Sequence, residues 1–284
     1  MITTSIIIST YNKPDWLMKT LIGYAHQNFK DFELILADDG STSDTKQCVD
    51  EIRSLFKHPI IHLWQEDNGF RKCEILNKAI LASDSDYVIF SDGDCIPRAD
   101  FVETHLKLRA PGLFLSGGYH KLPIALSQKI NDEDIAQGKC FDLNWLKIEG
   151  LRPSIRNLKI SPSPFSADLL DRFSTAHASW NGHNASGWKA DIVAVNGFDQ
   201  RMEYGGLDRE FGERLENAGI KGLRIRYRAI CLHLDHSRDY ARPEKIAANK
   251  KIRQQTKLNR STWTDYGIST LVQSAGKAEI YSGL

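Results

Sequence analysis

The stretch YVIFSDGD, residues 87–94, decides how this chain is read. Its first five residues are apolar or small, and Val88 and Ile89 are β-branched, the pattern of a short strand buried on both faces of a parallel sheet. It then runs straight into two carboxylates separated by one glycine. An open α/β sheet places its ligands at the carboxyl ends of its strands, so this pair belongs at the rim. On an extended segment a spacing of two directs Asp92 and Asp94 to the same side, and Gly93 lets a bulky ligand come close to the backbone. Two neighbouring carboxylates repel unless a cation lies between them, and hard divalent cations favour such oxygen ligands. Taken alone, the same pattern also describes a solvated turn.

Outward from this stretch the alternation repeats. Residues 5–9, 32–37, 60–64 and 113–116 read as further strands, and 16–26, 45–56, 72–81 and 99–109 as helices. Helix starts are marked by Pro14, by Ser43 or Asp44, and by Pro97. Strands alternating with helices predict a mostly parallel, Rossmann-like α/β sheet flanked by helices. Residues 119–184 lose this regularity, hold four prolines and no clean period, and read as an irregular insertion or lid with short helices. A helix over 208–218 closed by Gly219, a strand over 223–232 and a charged helix over 243–258 follow. No internal repeat or low-complexity segment breaks the pattern.

A length of 284 residues suits one large α/β domain, and 41% hydrophobic with 26% charged residues is the balance of an ordinary globular protein. The net charge of +1 gives no overall field for nucleic acid. That value hides an asymmetry, because residues 221–284 hold 13 Lys and Arg against 5 Asp and Glu. This basic region can meet phosphates or an anionic membrane surface, or it can be a solvated helical face. The five cysteines Cys48, Cys73, Cys95, Cys140 and Cys231 are scattered without a CxxC pair, which suits a reducing compartment. No run approaches the ~20 apolar residues of a membrane span, and the apolar residues 5–8 are too few for a signal-peptide core. The expectation is a cytoplasmic protein, with peripheral membrane contact through the basic C-terminal region.

Three more clusters fall at strand ends or helix starts. Ser9-Thr10-Tyr11-Asn12 ends the first strand, Asp38-Asp39-Gly40-Ser41 ends the second, and Asn68-Gly69-Phe70-Arg71 precedes the third helix. An arginine beside the free N–H groups of a helix start suits a diphosphate. With Asp92-Gly93-Asp94, the series over about residues 4–110 resembles family 2 glycosyltransferases of GT-A fold. That resemblance implies that Thr10, Tyr11, Asn12 and Asp39 line the donor site, Tyr11 and Asp39 against uracil. It also implies Arg71 near base or phosphates, Asp92 at ribose and Asp94 on a divalent metal.

The second half carries Asn196-Gly197-Phe198, Tyr204-Gly205-Gly206-Leu207-Asp208-Arg209-Glu210 and His236-Ser237-Arg238-Asp239. These resemble the C-terminal half of β-1,4-galactosyltransferases and the catalytic halves of chondroitin-type polymerases. By position Asp208 would be the catalytic base, Gly206 a donor contact, and His236 a metal ligand. His233 stands where the animal galactosyltransferases supply a methionine ligand. Residues three apart on a straight strand face opposite ways, so the chain must turn after Leu232 for both histidines to reach one ion. A set of Asp94, His233 and His236 mixes oxygen with imidazole nitrogen and leans toward Mn2+, with Mg2+ the alternative. Leu207 replaces the usual Glu before the base, which leaves the donor sugar open. Tyr204, Trp188 and Glu210 are candidate acceptor contacts, Trp145 and Trp180 read as packing, and Cys95 as a small buried filler. The Gly-Gly pair can also be a plain turn before a helix capped by Asp208.

These readings converge on one GT-A domain with a nucleotide-sugar half (1–118), an acceptor and catalytic half (119–240) and a basic helical tail (241–284). The expected reaction is inverting transfer of a hexose or N-acetylhexosamine from a UDP-sugar to a hydroxyl of a cell-surface glycan or glycolipid. Asp208 would act as general base, and a metal would neutralise the departing diphosphate. A sugar nucleotidyltransferase would ordinarily show a Gly-rich basic loop after the first strand, which Ser9-Thr10-Tyr11-Asn12 is not. A non-catalytic sugar-nucleotide or glycan binder would lack a working base.

Overall fold

Strand β1 (Thr4–Thr10) carries three consecutive isoleucines, and all seven of its residues are buried. In the computed structural model, which describes residues 2–160, 162–237, 241–273 and 280–281, these isoleucines divide by the two-residue period of a strand. Ile6 and Ile8 enter one apolar cluster and Ile7 the other, on the opposite face of the sheet. The remaining strands are β2 (Phe32–Asp38), β3 (Ile60–Trp64), β4 (Tyr87–Asp92), β5 (Cys95–Pro97), β6 (Leu113–Lys121), β7 (Ala185–Trp188), β8 (Lys221–His233) and β9 (Ile280–Tyr281). They form one sheet in the order β5-β8-β6-β7-β4-β1-β2-β3-β9.

The helices are α1 (Pro14–Ala25), α2 (Ser43–Ile52), α3 (Lys72–Ala82), α4 (Phe101–Leu108), α5 (Ile124–Lys129), α6 (Asp132–Ala136), α7 (Leu143–Ile148), α8 (Pro164–Phe173), α9 (Lys189–Ala194), α10 (Leu207–Asn217), α11 (Pro243–Leu258) and α12 (Ile268–Gln273). Residues of α1, α2 and α4 pack in the cluster of Ile6 and Ile8, while those of α3 and α10 pack in that of Ile7. Each large apolar side chain so buried contributes about 1.5–3 kcal/mol. Among the described residues no helix is long and apolar enough to cross a membrane.

The parallel part of the sheet is β3-β2-β1-β4. Beyond β4 the sheet is mixed rather than parallel: β7 runs antiparallel to both β4 and β6, and β8 is parallel to β6. The carboxyl ends of β1, β2, β4, β6 and β8 therefore share one rim. Pro97 ends β5 instead of opening a helix; α4 starts four residues later at Phe101, with Asp100 as its N-cap. The insertion is built from the short helices α5 to α8, as its irregular sequence suggested.

Candidate active site

At the rim, Asp92 ends β4 and accepts hydrogen bonds from Ser9 Oγ at 2.7 Å and Lys72 Nζ at 2.7 Å. Burial works against its charge, yet Lys72 and His183 hold its carboxyl below the usual range. Lys72, the first residue of α3, answers in kind: burial works to discharge it, and Asp92, Asp208 and Asp94 together keep it firmly protonated. One ammonium thus stands among three carboxylates supplied by β4, the turn after it and α10.

The chain does not stay extended through the acidic pair; it turns at Gly93 and Asp94, giving the two carboxylates different partners. Asp94 faces β8, where the chain leaves the strand after His233, as ligation by both histidines requires. His236 Nε2 lies 2.8 Å and His233 Nε2 3.7 Å from the same oxygen, Oδ2 of Asp94. The Nδ1 atoms point to backbone carbonyls, that of His233 to Leu234 O at 2.9 Å and that of His236 to Ser237 O. A carbonyl at Nδ1 orients each ring so that Nε2 is directed toward Asp94, the position from which it would ligate a cation. Cys95 Sγ is 3.3 Å from Asp94 Oδ1, and burial pushes its thiol well above the ordinary value, so it can donate to the carboxylate. Ligand atoms of Asp94, Cys95 and His233 lie within 4.8 Å of one another. One carboxylate and two imidazoles are a donor set that fits a transition-metal dication. Arg238 and Asp239 of the same motif lie outside the described residues.

Asp208 approaches from α10. Its N-cap is Gly206, at φ 102°, so Asp208 lies inside the first turn and is not itself the cap. Burial pushes its carboxyl up to about 6, against the opposing pull of Lys72. Its buried Oδ1 has no hydrogen-bond partner among the described residues. The carboxylate lies against Gly182, where a Cβ would fall 2.6 Å from Oδ1. The 182–184 loop is pinned by Asn184, whose Oδ1 accepts from His105 Nε2 at 2.9 Å and whose Nδ2 donates to Gly118 O at 2.7 Å.

The Gly205-Gly206 turn is held from outside by α11. Asn249, buried in the middle of that helix, donates to the carbonyls of Glu203, Tyr204 and Gly205 at 2.8, 3.2 and 3.1 Å. Ile246 packs so tightly on Gly205 that a Cβ there would fall 2.9 Å from its Cγ1. Lys245 pairs with Glu203, and Arg253 and Lys257 with Glu213. One side of the helix is thus docked on the Asp208 loop, while Lys250 and Lys251 lie on its exposed, solvated side.

Across the rim, Asp39 accepts from Gln65 Nε2 at 2.6 Å and from the backbone N–H of Arg71 at 2.8 Å. Burial nevertheless pushes its carboxyl up to about 6. The Arg71 guanidinium turns back to Glu66 O and Glu74. Tyr11 is exposed, and its hydroxyl donates to Asp67 at 2.9 Å. Asn12, at φ 47°, ties the β1 end to the β2 end through Ser41 Oγ and the Thr42 N–H. Thr10 is buried beside them, its carbonyl accepting from the Asp39 N–H.

Two expected acceptor contacts lie elsewhere. Trp188 pairs in register with Tyr87, the first residue of β4, five residues before Asp92. At ~3.3 Å per residue this puts it about 17 Å away, at the opposite end of the sheet. There its Nε1 donates to Ala110 O and its ring packs edge-on to Tyr87. Glu210 is buried in a bidentate pair with Arg214 and accepts from Thr256 Oγ1, so it does not face the groove. Tyr204 stays beside the site through its carbonyl bond to Asn249. Trp180 is fully enclosed among Phe90, Phe114 and Phe211, a packing residue as its sequence context suggested.

Two residues the sequence did not single out lie within the cluster, Lys72 and His183. Lys72 adjoins Arg71, and no sequence pattern tells which of two adjacent cations turns inward. His183 is held near neutral charge by burial, its basicity brought down to about 4 despite Asp92 and Asp94.

Comparison with known proteins agrees with this arrangement. Residues 5–109 match the family described as Glycosyl transferase family 2. The chain is 30% identical to the chondroitin synthase of Escherichia coli over 239 residues, covering 76% of this chain and 32% of that protein. It therefore spans about a third of that relative's length. Among solved structures, S. aureus TarS 1-349 in complex with UDP-GlcNAc aligns with TM-score 0.57 at 14% identity, covering 98% of this chain and 77% of that one. The mannosyltransferase PcManGT from Pyrobaculum calidifontis, in complex with GDP-Man and Mn2+, aligns with TM-score 0.56 at 16% identity, covering 97% and 65%. With a matching family segment over the donor-side rim and the GT-A architecture along its length, the chain belongs to the family 2 glycosyltransferases of GT-A fold.

Proposed function

We propose that the chain transfers a hexose or N-acetylhexosamine from a UDP-sugar to a hydroxyl of a glycan or glycolipid acceptor, with inversion and with a divalent metal. One observation carries this reading: a buried carboxylate of raised basicity, Asp208, shares Lys72 with an Asp92–Asp94 pair that converges with His233 and His236. A binding module has no need of a proton acceptor poised near 6 beside a cation site.

Asp94, His233 and His236 would hold the metal, which neutralises diphosphate charge as the bond to the sugar breaks. Asp208 takes the proton of the attacking hydroxyl, and its unpartnered Oδ1 is the atom available to accept it. Lys72 keeps Asp92 ionised and oriented and moderates the charge at Asp208. The loop 182–184 lies against the Asp208 carboxylate, with the fully packed Trp180 just before it in the chain. Uridine is the base we assign, on the match of Tyr11 and Asp39 to uracil-contacting positions; the TarS structure, with its bound UDP-GlcNAc, has the same fold.

The test is a thermal-shift panel of UDP-, GDP-, CDP- and dTDP-sugars with and without Mn2+, followed by transfer assays with the stabilising donors. A true donor at 100 times its dissociation constant stabilises by about 2.7 kcal/mol. Stabilisation by GDP-sugars in preference to UDP-sugars refutes the base assignment. Metal-dependent binding with neither transfer nor donor hydrolysis would return the chain to the binding-module reading.

A further inference from the structure

The insertion presents a face that the transfer chemistry does not use. On α8, Phe165, Leu169 and Phe173 follow one another at intervals of four, one stripe of a helix. They point away from the protein, with Phe165 81% and Phe173 77% exposed. The opposite side of α8 is anchored, since Asp171 is buried and bonds Arg228 at 2.9 Å and the Tyr227 N–H. Beside it the 3-10 turn Ile155–Lys159 exposes Ile155 and Leu158, and both segments pack on β8. A soluble surface seldom gathers five large apolar side chains in so short a segment without a use.

Cations lie on the 3-10 turn and on β8, the strand against which both segments pack. Arg152, Arg156, Lys159 and Arg226 have no ion pair among the described residues. The neighbouring acids are spent, Glu149 on Lys129, Asp168 on Arg172 and Arg228, and Asp171 on Arg228. Lys159 is the clearest sign of a cationic cluster: burial lowers its basicity, and Arg226 and Arg156 lower it further. Exposed aromatic and aliphatic side chains with unpaired cations on the neighbouring segments are complementary to an anionic bilayer, apolar to the acyl boundary and cationic to the headgroups.

We propose that the α8 stripe and the Arg152–Arg156–Lys159–Arg226 cluster dock the protein on the surface of an anionic lipid bilayer. In the basic tail three cations of α11, Lys245, Arg253 and Lys257, are engaged with Glu203 and Glu213. The docking face also adjoins the site. His120 meets the backbone of Arg156, and it pairs with Leu232, one register step from His233. A bilayer on this face thus lies beside the acceptor side of the groove. That consequence, a lipid-anchored acceptor, rests on the transferase reading; the docking itself does not.

Vesicle flotation of the full chain separates the two, because it needs no turnover. Binding to phosphatidylglycerol-containing vesicles and not to pure phosphatidylcholine, weakened by salt, is the expected result. Arg156→Glu with Lys159→Glu should weaken it at least about 25-fold, fivefold for each cation removed. Phe165→Ser with Phe173→Ser should abolish the part that survives high salt, with circular dichroism and metal-dependent UDP binding unchanged. Equal binding to both vesicle types, or none to either, overturns the proposal. So does a solution dimer that the phenylalanine pair dissolves in the absence of vesicle binding, which would make this face a contact between copies of the chain.

Discussion

Replacing Asp208 by Asn keeps the side-chain volume and removes the proton acceptor, and the structure sets both consequences. The first is kinetic. A carboxyl pushed up from its ordinary 3.8 to about 6 binds a proton more tightly by about 3 kcal/mol, while remaining ionised at pH 7.5. Loss of such a base costs about 10²–10⁴-fold in rate, or roughly 3–5 kcal/mol. The second is thermodynamic and has the opposite sign. Because the folded-state value lies above the unfolded one, the folded protein gains from the protonated carboxyl. That gain is fully present below about 4 and is lost as pH rises through about 6. Above that window ionised Asp208 destabilises the fold, in part offset by Lys72.

Asp208→Asn should therefore lose transfer while melting at or above the wild-type temperature at pH 7.5 in chelator, and the two melting curves should converge near pH 4. Single-turnover transfer rates beside UDP titrations in saturating Mn2+ supply the kinetic half, with nucleotide affinity near normal. A variant that keeps more than a tenth of the wild-type rate ends the assignment of Asp208 as base. A variant that loses transfer together with stability would mean that the residue matters for folding.

Three further outcomes are expected. The pH profile of kcat in saturating metal should fall on an acid limb below about 6, because the cation favours ionised Asp208, and Asp208→Asn should erase that limb; an unchanged limb in the variant assigns it to another group. Asn249→Ala leaves three loop carbonyls without their donor, at about 1–3 kcal/mol for a buried group, so kcat should drop about tenfold or more while the UDP dissociation constant, measured calorimetrically, stays put. Glu210→Gln strands the buried Arg214 and should cost about 3–5 kcal/mol in urea unfolding, with transfer per folded molecule retained; loss of transfer at full stability would restore Glu210 as a rival base.

What the sequence disclosed and what it withheld follow from the range of the interactions. Strands β1 to β4 were legible because a strand buried on both faces must be apolar almost throughout, and β3 falls within the expected bounds of 60–64. Tail helix α11 was legible from Pro243 and its charge pattern, yet its use was not, because Asn249 reveals its role only through carbonyls 44 to 46 residues away. Glu210 and Asp208 have equal standing as letters. Their fates differ because Arg214, one helical turn on, captures the first and leaves the second facing the rim. Trp188 was misplaced because β7 runs antiparallel to β4, a strand direction that local pattern does not carry. His183 sits in a loop without period, fixed by the distant His105 through Asn184.

The charges at the rim lead to one more expectation. Among the described residues, Asp92, Asp94 and Asp208 face one internal ammonium, Lys72, while burial keeps His183 neutral. The groove thus carries about two net negative charges before any donor enters, and a nucleotide diphosphate brings about two more. Each like-charge pair at ~6 Å costs about 3 kcal/mol at an effective dielectric near 20. A divalent cation bound at Asp94, His233 and His236 would cancel those two charges, so chelation should weaken UDP at least about 100-fold in calorimetric titration. Variants should then separate by charge in metal-free buffer. Asp208→Asn removes one negative group and should tighten the residual binding, whereas Lys72→Met removes the one positive group and should weaken it. His233→Ala with His236→Ala should leave wild-type metal-free affinity unchanged and abolish the response to Mn2+. If chelator leaves UDP affinity intact, or if the Asp208 and Lys72 variants shift metal-free binding in the same direction, electrostatic repulsion does not govern donor entry and the metal has no part in it.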